Sequence, residues 1–449
     1  MTTLRHVTRS WKTLKNASVG SEESLAYKVL LTYTTYRLTA EEARDRLIGF
    51  RVLYRTLRLM LSESTGTHTV LSADGATNAC VLGLNNGKDH NRARYIGNHA
   101  DACPKWSVYR ELTPRCLSRR PRSIMPFFFL GIRLALACFL SKKHRGNKAL
   151  VICFLAEIAG TIDLLKSLQV DTVYEWDPYL LNSNWQALLF ESFGIRVIKL
   201  PSSGPLTAHH QIMLSDVVVL STPYQEEELN LYAESINVKT ILRWPPEGTE
   251  VFAGQYLDPQ RTEKASVLGF YSHGSWLRKK AKHSDDGLNI AESESEILDW
   301  LNRLLRDRKD IELVIFCHPR EKQQQRRAET QAFYTDKLGT SSNWRIMDWS
   351  VASHDCFDAC HIGIAAYSTI IYTRMYCGFP TLIRRSEANN FPFKASSLWP
   401  ISFGEEYEML QLLEQSLSLD REAFFNHFNV QHYRLGQLND LNSLEDKTS

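Results

Sequence analysis

The chain has 449 residues, enough for two or three domains each with its own core. An apolar content of 43% with 23% charged residues is that of a soluble globular protein, and it excludes a disordered or low-complexity chain. A formal charge of +3, with no zinc-finger spacing and no RNP-like aromatic motif, does not point to nucleic acid as a partner.

The first 145 residues are the least periodic. EEARDRLIGFRVLYRTLRLML, within Thr39–Ser62, has the i, i+3, i+4 apolar spacing of a helix, and Ser64–Arg115 reads as polar and irregular. MTTLRHVTRSWKTLKN is basic with no apolar run after it, which does not match a signal peptide. Between Asp101 and Leu150 eleven Lys/Arg stand against two acidic residues, a local net of +9, so this stretch favours an anionic partner. Inside it, SIMPFFFLGIRLALACFL carries Pro126 and Arg133 and is too short and interrupted to span a membrane. Two readings stay open for Ser118–Arg145: a buried helix, or a helix lying on an anionic membrane surface.

From Lys148 onward the pattern changes to short Val/Ile runs separated by helical segments of about ten residues, the signature of a parallel sheet in a doubly wound domain. KALVICFLA, VDTVYEW, IRVIKL, VVVLSTP and VKTILRW supply the strands. Pro245–Ala265 reads as a linker, after which a second alternation starts at VLGFYSHG and runs through IELVIFCHP, WRIMDWS, IGIAA and PTLIR. The expected architecture is therefore α/β: two Rossmann-like domains facing across a cleft, with a mainly helical N-terminal extension. The boundaries are 1–250 for the first domain (1–145 helical or irregular, 146–250 Rossmann-like), 251–265 for the linker, 266–430 for the second domain and 431–449 for a polar tail.

Open parallel sheets bind ligands outside the carboxyl ends of their strands. VIFCHPREK ends a strand at such a place, bringing His318 and Pro319 to the crevice with Arg320 and Lys322 beside any bound phosphate. The plain alternative is that His318 and Pro319 only terminate the strand. Ser368 and Thr369, between IGIAA and STIIYTRMYCG, either cap that helix or offer hydroxyls to a phosphate. YSHGSWLRKK, with Ser272, Gly274 and Arg278, follows the second domain's first strand and combines a glycine with a cation cluster. The acidic run Asp285–Glu296 reads as a solvated loop and helix start, without Ca-loop spacing. Nine scattered cysteines read as reduced cytosolic thiols; Cys356 and Cys360 approach a metal spacing with His354 and His361, but there is no second pair, so no metal and no other cofactor is expected.

The succession of a Gly-containing first loop, a strand ending His-Pro and a strand-to-helix Ser-Thr turn, over Ala265–Arg384, resembles that of bacterial GT-B glycosyltransferases of the sialyltransferase and Kdo-transferase type. The resemblance implies a CMP-activated acidic sugar as donor, inversion at the anomeric carbon and no metal. It implies that His318, Ser368 and Thr369 hold the donor phosphate, although Tyr367 stands where such families often have another serine. It also implies a carboxylate base from the first domain. Glu175 and Asp177, at the end of VDTVYEW, are the candidates, with Glu157 in reserve. The loop Pro201–His210, with Ser203 and His209, is the candidate acceptor site. The partners so implied are a nucleotide-sugar donor and a glycan or lipid-linked acceptor of surface polysaccharide synthesis, on a cytoplasmic protein with a candidate membrane-facing stretch at 118–145. A sugar-nucleotide epimerase or hydrolase, and a non-catalytic glycan-binding module, are the alternatives.

Overall fold

The computed structural model describes residues 68–71, 78–82, 105–109, 172–175, 187, 190–191, 194–200, 213–231, 236–245, 256, 266–280, 290–340, 343–366, 368–386 and 391–434. They fall into two compact units. The first comprises Met1–Ser202, Ala208–Val219 and Leu231–Leu242, and the second Ser203–Thr207, Leu220–Asn230 and Arg243–Ser449.

Unit 1 holds a seven-stranded sheet made of β1 (His68–Leu71), β2 (Asn78–Leu82), β3 (Lys105–Tyr109), β4 (Thr172–Glu175), β5 (Arg196–Lys199), β6 (Met213–Leu220) and β7 (Ile236–Arg243), in the order β1-β3-β2-β4-β5-β6-β7. From β3 through β2, β4 and β5 to β6 every pairing is parallel, and β1 alone among these pairs runs antiparallel, to β3. The β-branched residues at Val173, Val197 and Val217–Val219 are buried, as the strands of a sheet covered on both faces require. Strands β4 to β7 lie where the Val/Ile runs predict them. Strands β1 to β3 do not: they fall in Ser64–Arg115, expected to be irregular, because HTVL, NACVL and KWSVY carry no Val/Ile run and sit in a polar stretch. The expected helix at Thr39–Ser62, the strand KALVICFLA and the stretch 118–145 lie outside the described residues.

Unit 2 holds a six-stranded sheet, and all its pairings are parallel. Its strands are β8 (Val267–Tyr271), β9 (Glu312–Phe316), β10 (Trp344–Ile346), β11 (Ile362–Ala365), β12 (Thr381–Arg384) and β13 (Ser402–Phe403), in the order β10-β9-β8-β11-β12-β13. The chain moves outward from β8 to β9 and β10, then returns to the other flank of β8 at β11 and continues outward to β13. The reversal makes the junction of β8 and β11 the topological switch point of the sheet, the place where such sheets leave a crevice.

Helices α2 (Ser275–Lys280), α3 (Ile290–Asp307), α4 (Arg327–Leu338), α5 (Ile370–Tyr376), α6 (Glu406–Leu417) and α7 (Arg421–His427) connect these strands or follow them. In α3 the buried positions Ile290, Glu294, Ile297, Leu298, Leu301 and Leu305 form one stripe at helical spacing. Glu294 therefore lies in the core, against the expectation that Asp285–Glu296 is solvated: its place in the stripe, i+4 from Ile290, outweighs its charge.

Three segments extend unit 2 beyond the expected 266–430. The helix α1 (Pro223–Leu231), which follows β6, packs in unit 2: Tyr224 is fully buried with its ring 5.5 Å from those of Phe391 and Phe393, and Ser397 N donates to Glu227. Within the expected linker, the Tyr256 hydroxyl donates to His354 O at 2.8 Å and accepts from Phe357 N at 3.0 Å, which ties that residue to the unit's core. At the other end, packing continues to Tyr433, which is buried.

Candidate functional site

The candidate site is built from three strand ends of unit 2. Tyr271 is level with Phe316 in the β8–β9 register, their rings stacked at 4.4 Å, and Ser272 N donates to Phe316 O, which carries the pairing one residue further. The chains then diverge with His273 and His318 side by side, ring centroids 5.9 Å apart. On the other flank Ile364 is level with Phe270, so β11 ends beside the end of β8, with Ser368 and Thr369 shortly after it. Ser272, Gly274, His318, Pro319, Arg320, Ser368 and Thr369 thus gather at one edge of one sheet, around its switch point.

Two features show why Gly274 is a glycine. Its φ is +67°, in the left-handed region, and a Cβ there would meet the Cβ of His318 at 3.2 Å. The first loop passes directly against the His-Pro turn, and no side chain fits between them.

His318 is held as a donor. Its backbone N–H donates to Glu321 Oε2 at 2.7 Å, and its Nδ1 accepts from Arg320 N at 3.1 Å. A neutral imidazole whose Nδ1 accepts carries its proton on Nε2, so Nε2 of His318 is an N–H donor. Pro319 and Arg320 are exposed beside it. Lys322 is not part of this edge in the way its sequence position suggests, because its ammonium donates to Val351 O.

Glu321 is buried under this turn. Besides His318 N, it accepts the indole N–H of Trp276 and the Tyr334 hydroxyl at 2.9 Å, both on Oε1. Burial raises its pKa above the usual carboxylate range, and the hydrogen bonds from Trp276, His318 and Tyr334 pull in the opposite direction. Glu294 does the same for the first loop, accepting from His273 N, Ser275 N and the Ser275 hydroxyl. Burial raises its pKa to about 7, with Ser275 and His273 as the main opposing donors and the Glu321 charge adding to the rise. A separate buried acid therefore organises each of the two adjacent loops.

On the β11 side, the Ser368 hydroxyl accepts from Ile370 N at 3.4 Å, a long and weak cap, and Thr369 makes no side-chain cap and is exposed. With seven residues, α5 has too small a dipole to matter much, so its hydroxyls are what this strand end offers. Underneath, Arg374 is fully buried and donates to Tyr271 Oη, Phe357 O, Cys360 O, His361 O and Pro380 O. Gly363 makes room for it: a Cβ there would meet Arg374 Nε at 2.6 Å. One side chain thereby ties α5 to both strands of the switch point.

Cys356, Cys360 and His361, singled out for their spacing, are taken up by packing. Cys356 Sγ donates to Ala352 O, Cys360 Sγ lies 3.7 Å from Tyr271 Oη, and His361 Nε2 lies 3.0 Å from Leu419 O. Among the described residues no three His, Cys, Asp or Glu side chains are grouped to hold a metal ion, and no helix is long and apolar enough to cross a membrane.

The remaining candidates stand elsewhere. Arg278 lies in α2, with its side chain outside the described residues. Glu175 is the last residue of β4 in unit 1, level in register with Lys199, which is fully buried. Asp177, Glu157, Ser203 and His209 lie outside the described residues. The sequence reading missed Glu321, Glu294 and Arg374. For Glu294 the signal is its position in the apolar stripe of α3, and for Glu321 its place three residues after His318; for Arg374 nothing local distinguishes a core arginine from a surface one.

No family model matches the chain, and no curated protein matches it. Solved structures do. The GtfA/B complex is 12% identical, with 64% of this chain and 59% of that one covered and a TM-score of 0.40, so the chain spans less than two thirds of that neighbour's length. Anabaena HepE in complex with UDP and glucose is 10% identical over 83% of this chain and 100% of that one, with a TM-score of 0.43. MnaA of S. aureus with UDP is 9% identical over 82% and 95%, with a TM-score of 0.45. At these TM-scores the likenesses bear no weight, and the reading of the chain rests on its own residues.

Proposed function

We propose that the chain is a nucleotide-sugar enzyme of the GT-B type that acts as an inverting glycosyltransferase. The observation that carries this reading is His318, its Nδ1 accepting from Arg320 N and its Cβ packed beside Gly274 at the switch point of an all-parallel sheet, with Ser368 and Thr369 on the opposite flank. In this reading unit 2 takes the donor. His318 donates to the donor phosphate, the hydroxyls of Ser368 and Thr369 hold it from the β11 side, and Arg320 and Arg278 add positive charge. When the bond between the anomeric carbon and the phosphate oxygen breaks, its electron pair stays on that oxygen. Donors already aimed at it stabilise the charge as it develops.

Unit 1 supplies the base. A carboxylate, Glu175 or Asp177 with Glu157 in reserve, takes the proton of the acceptor hydroxyl as its oxygen attacks the anomeric carbon from the face opposite the phosphate, which inverts the configuration. Ser203 and His209 bind the acceptor sugar. The donor is a CMP-activated acidic sugar, and the acceptor a glycan or lipid-linked glycan whose anionic surface meets the cations of 118–145.

Thermal unfolding with CMP, CDP, UDP and GDP tests the donor: a ligand that binds only the folded chain raises stability with its concentration relative to its dissociation constant. A rise in Tm with CMP or CDP alone supports the reading. A selective response to UDP or GDP replaces the donor, and no response to any of them overturns nucleotide binding. Full-rate turnover of a nucleotide sugar with no acceptor present would assign the chain to the epimerases or hydrolases instead.

A further inference from the structure

Glu321 bridges the two loops flanking His318. Its Oε1 accepts from Trp276 on α2 at 2.5 Å and from Tyr334 on α4 at 2.9 Å, and its Oε2 accepts from His318 N at 2.7 Å. Its own backbone closes the turn: Glu321 N donates to His318 O, and Glu321 O accepts from the Thr330 hydroxyl. The residue is fully buried, and its Cγ lies 3.5 Å from where a Cβ on Gly274 would stand. A carboxylate enclosed in this way is an acceptor at both oxygens, and every group around it is a donor. An apolar residue would fill the same space and leave three donors unsatisfied, each at a cost of about 1–3 kcal/mol if shut away from water.

We infer that Glu321 is a positioning residue: by fixing the His318 backbone against α2 and α4, it holds the His-Pro turn in the form in which Arg320 N donates to His318 Nδ1 and the ring proton sits on Nε2. The tautomer of His318 is thus set through its backbone, by an acid that accepts from its N–H. The functional side of this inference rests on the proposed contact between His318 and the donor phosphate; the structural side, control of the His318 tautomer, does not.

The chemistry of the carboxylate makes the inference separable from simple core packing. Glu321→Gln keeps the size and the fit but replaces one acceptor oxygen with an NH2 group. In either amide orientation that NH2 meets an obligate donor: His318 N–H in one, or the Trp276 indole N–H in the other. Tyr334→Phe removes one of the donors on Oε1 and leaves the bond to His318 N intact.

The test uses the full chain, labelled with 15N-histidine. The His318 ring signals are assigned as those lost in His318→Ala, and CMP and UDP affinities are measured in parallel. In the wild type His318 shows an unprotonated Nδ1 and a protonated Nε2. Glu321→Gln is expected to shift this pattern towards mixed tautomers and to weaken nucleotide binding roughly tenfold, the loss of about one good hydrogen bond. Tyr334→Phe is expected to lower Tm without changing either readout. If Glu321→Gln does not fold, Glu321→Asp replaces it with the same expectations, since it withdraws the carboxylate by one methylene. An unchanged His318 tautomer in a folded Glu321 variant overturns the inference, as does an equal effect of Tyr334→Phe on both readouts. If His318→Ala leaves nucleotide affinity intact while the Glu321 variant still alters the tautomer, the phosphate contact fails and the positioning role stands.

Discussion

Arg374 and Tyr271 meet 2.9 Å apart in the interior of unit 2, the guanidinium of α5 donating to the hydroxyl that ends β8. No carboxylate answers the arginine in its hydrogen bonds; a hydroxyl and four backbone carbonyls do, and the rings of Tyr271, Phe357 and Phe379 lie 5.0–5.7 Å from its Cζ. The planar fork suits this task because its donors spread in fixed directions, which one ammonium cannot imitate.

The first prediction follows from that geometry. Arg374→Met leaves several buried acceptors without donors and should lower stability by about 3 kcal/mol or more. Arg374→Lys should recover less than half of the loss. Urea unfolding of the two variants measures this, and a lysine variant close to the wild type would show that charge matters here more than geometry.

Gly274 is predicted to be intolerant for two added reasons. Alanine at φ +67° costs about 1 kcal/mol in backbone strain, and its Cβ would press on His318 Cβ at 3.2 Å. Gly274→Ala should therefore lower nucleotide affinity more than stability. By contrast, Gly339→Ala has a similar φ of +72° but nothing within 4 Å, so it should show the backbone cost alone. Equal effects of the two on nucleotide binding would remove the steric argument.

Removal of the imidazole in His318→Ala should leave the fold intact, because the ring is only half-buried and the backbone bond to Glu321 survives. Transfer activity is expected to fall by roughly a hundredfold or more, the scale seen when one preorganised donor to a developing anion is lost. Thr369→Val should give a smaller fall without loss of Tm, since its hydroxyl makes no cap. A His318→Ala enzyme with undiminished turnover would move the phosphate contact elsewhere.

A pH dependence follows from Glu294. Its value in the folded chain is about 7 against an ordinary 4.5, raised first by burial. Between those two values the folded chain keeps a proton that the unfolded chain has released, so this group's contribution makes the protein less stable as pH rises from about 4.5 to about 7, and is constant above. The slope is at most about 1.4 kcal/mol per pH unit for one proton. Glu321, also raised by burial, acts in the same sense. Denaturant unfolding at pH 5, 6, 7 and 8 should show a flatter profile for Glu294→Gln than for the wild type; parallel profiles would mean that Glu294 does not titrate in this window.

Much of unit 2 can be read along the chain. ELVIF, IGIA and TLIR are short apolar runs ended by turn residues, and each becomes a strand where the pattern puts it. His318, Ser368 and Thr369 are legible for the same reason, since in a parallel sheet the residue after an apolar run is at the ligand-binding edge. Strands β1 to β3 are not legible, because they carry no Val/Ile run and gain their order from neighbours far away in sequence, β2 between β3 and β4.

By itself the sequence determined the alternation of strands and helices, and with it which residues stand at strand ends, because burial on both faces of a parallel sheet imposes runs that can be seen locally. Only the tertiary structure decided that β11 returns to flank β8, that Glu294 and Glu321 are buried acceptors and not surface charges, and that Arg374 ties the two halves of the switch point together. Those outcomes depend on which donors surround a side chain after folding. Glu294 meets Ser275 across 19 residues and Arg374 meets Tyr271 across 103, and a pattern along the chain holds no information on partners at such separations.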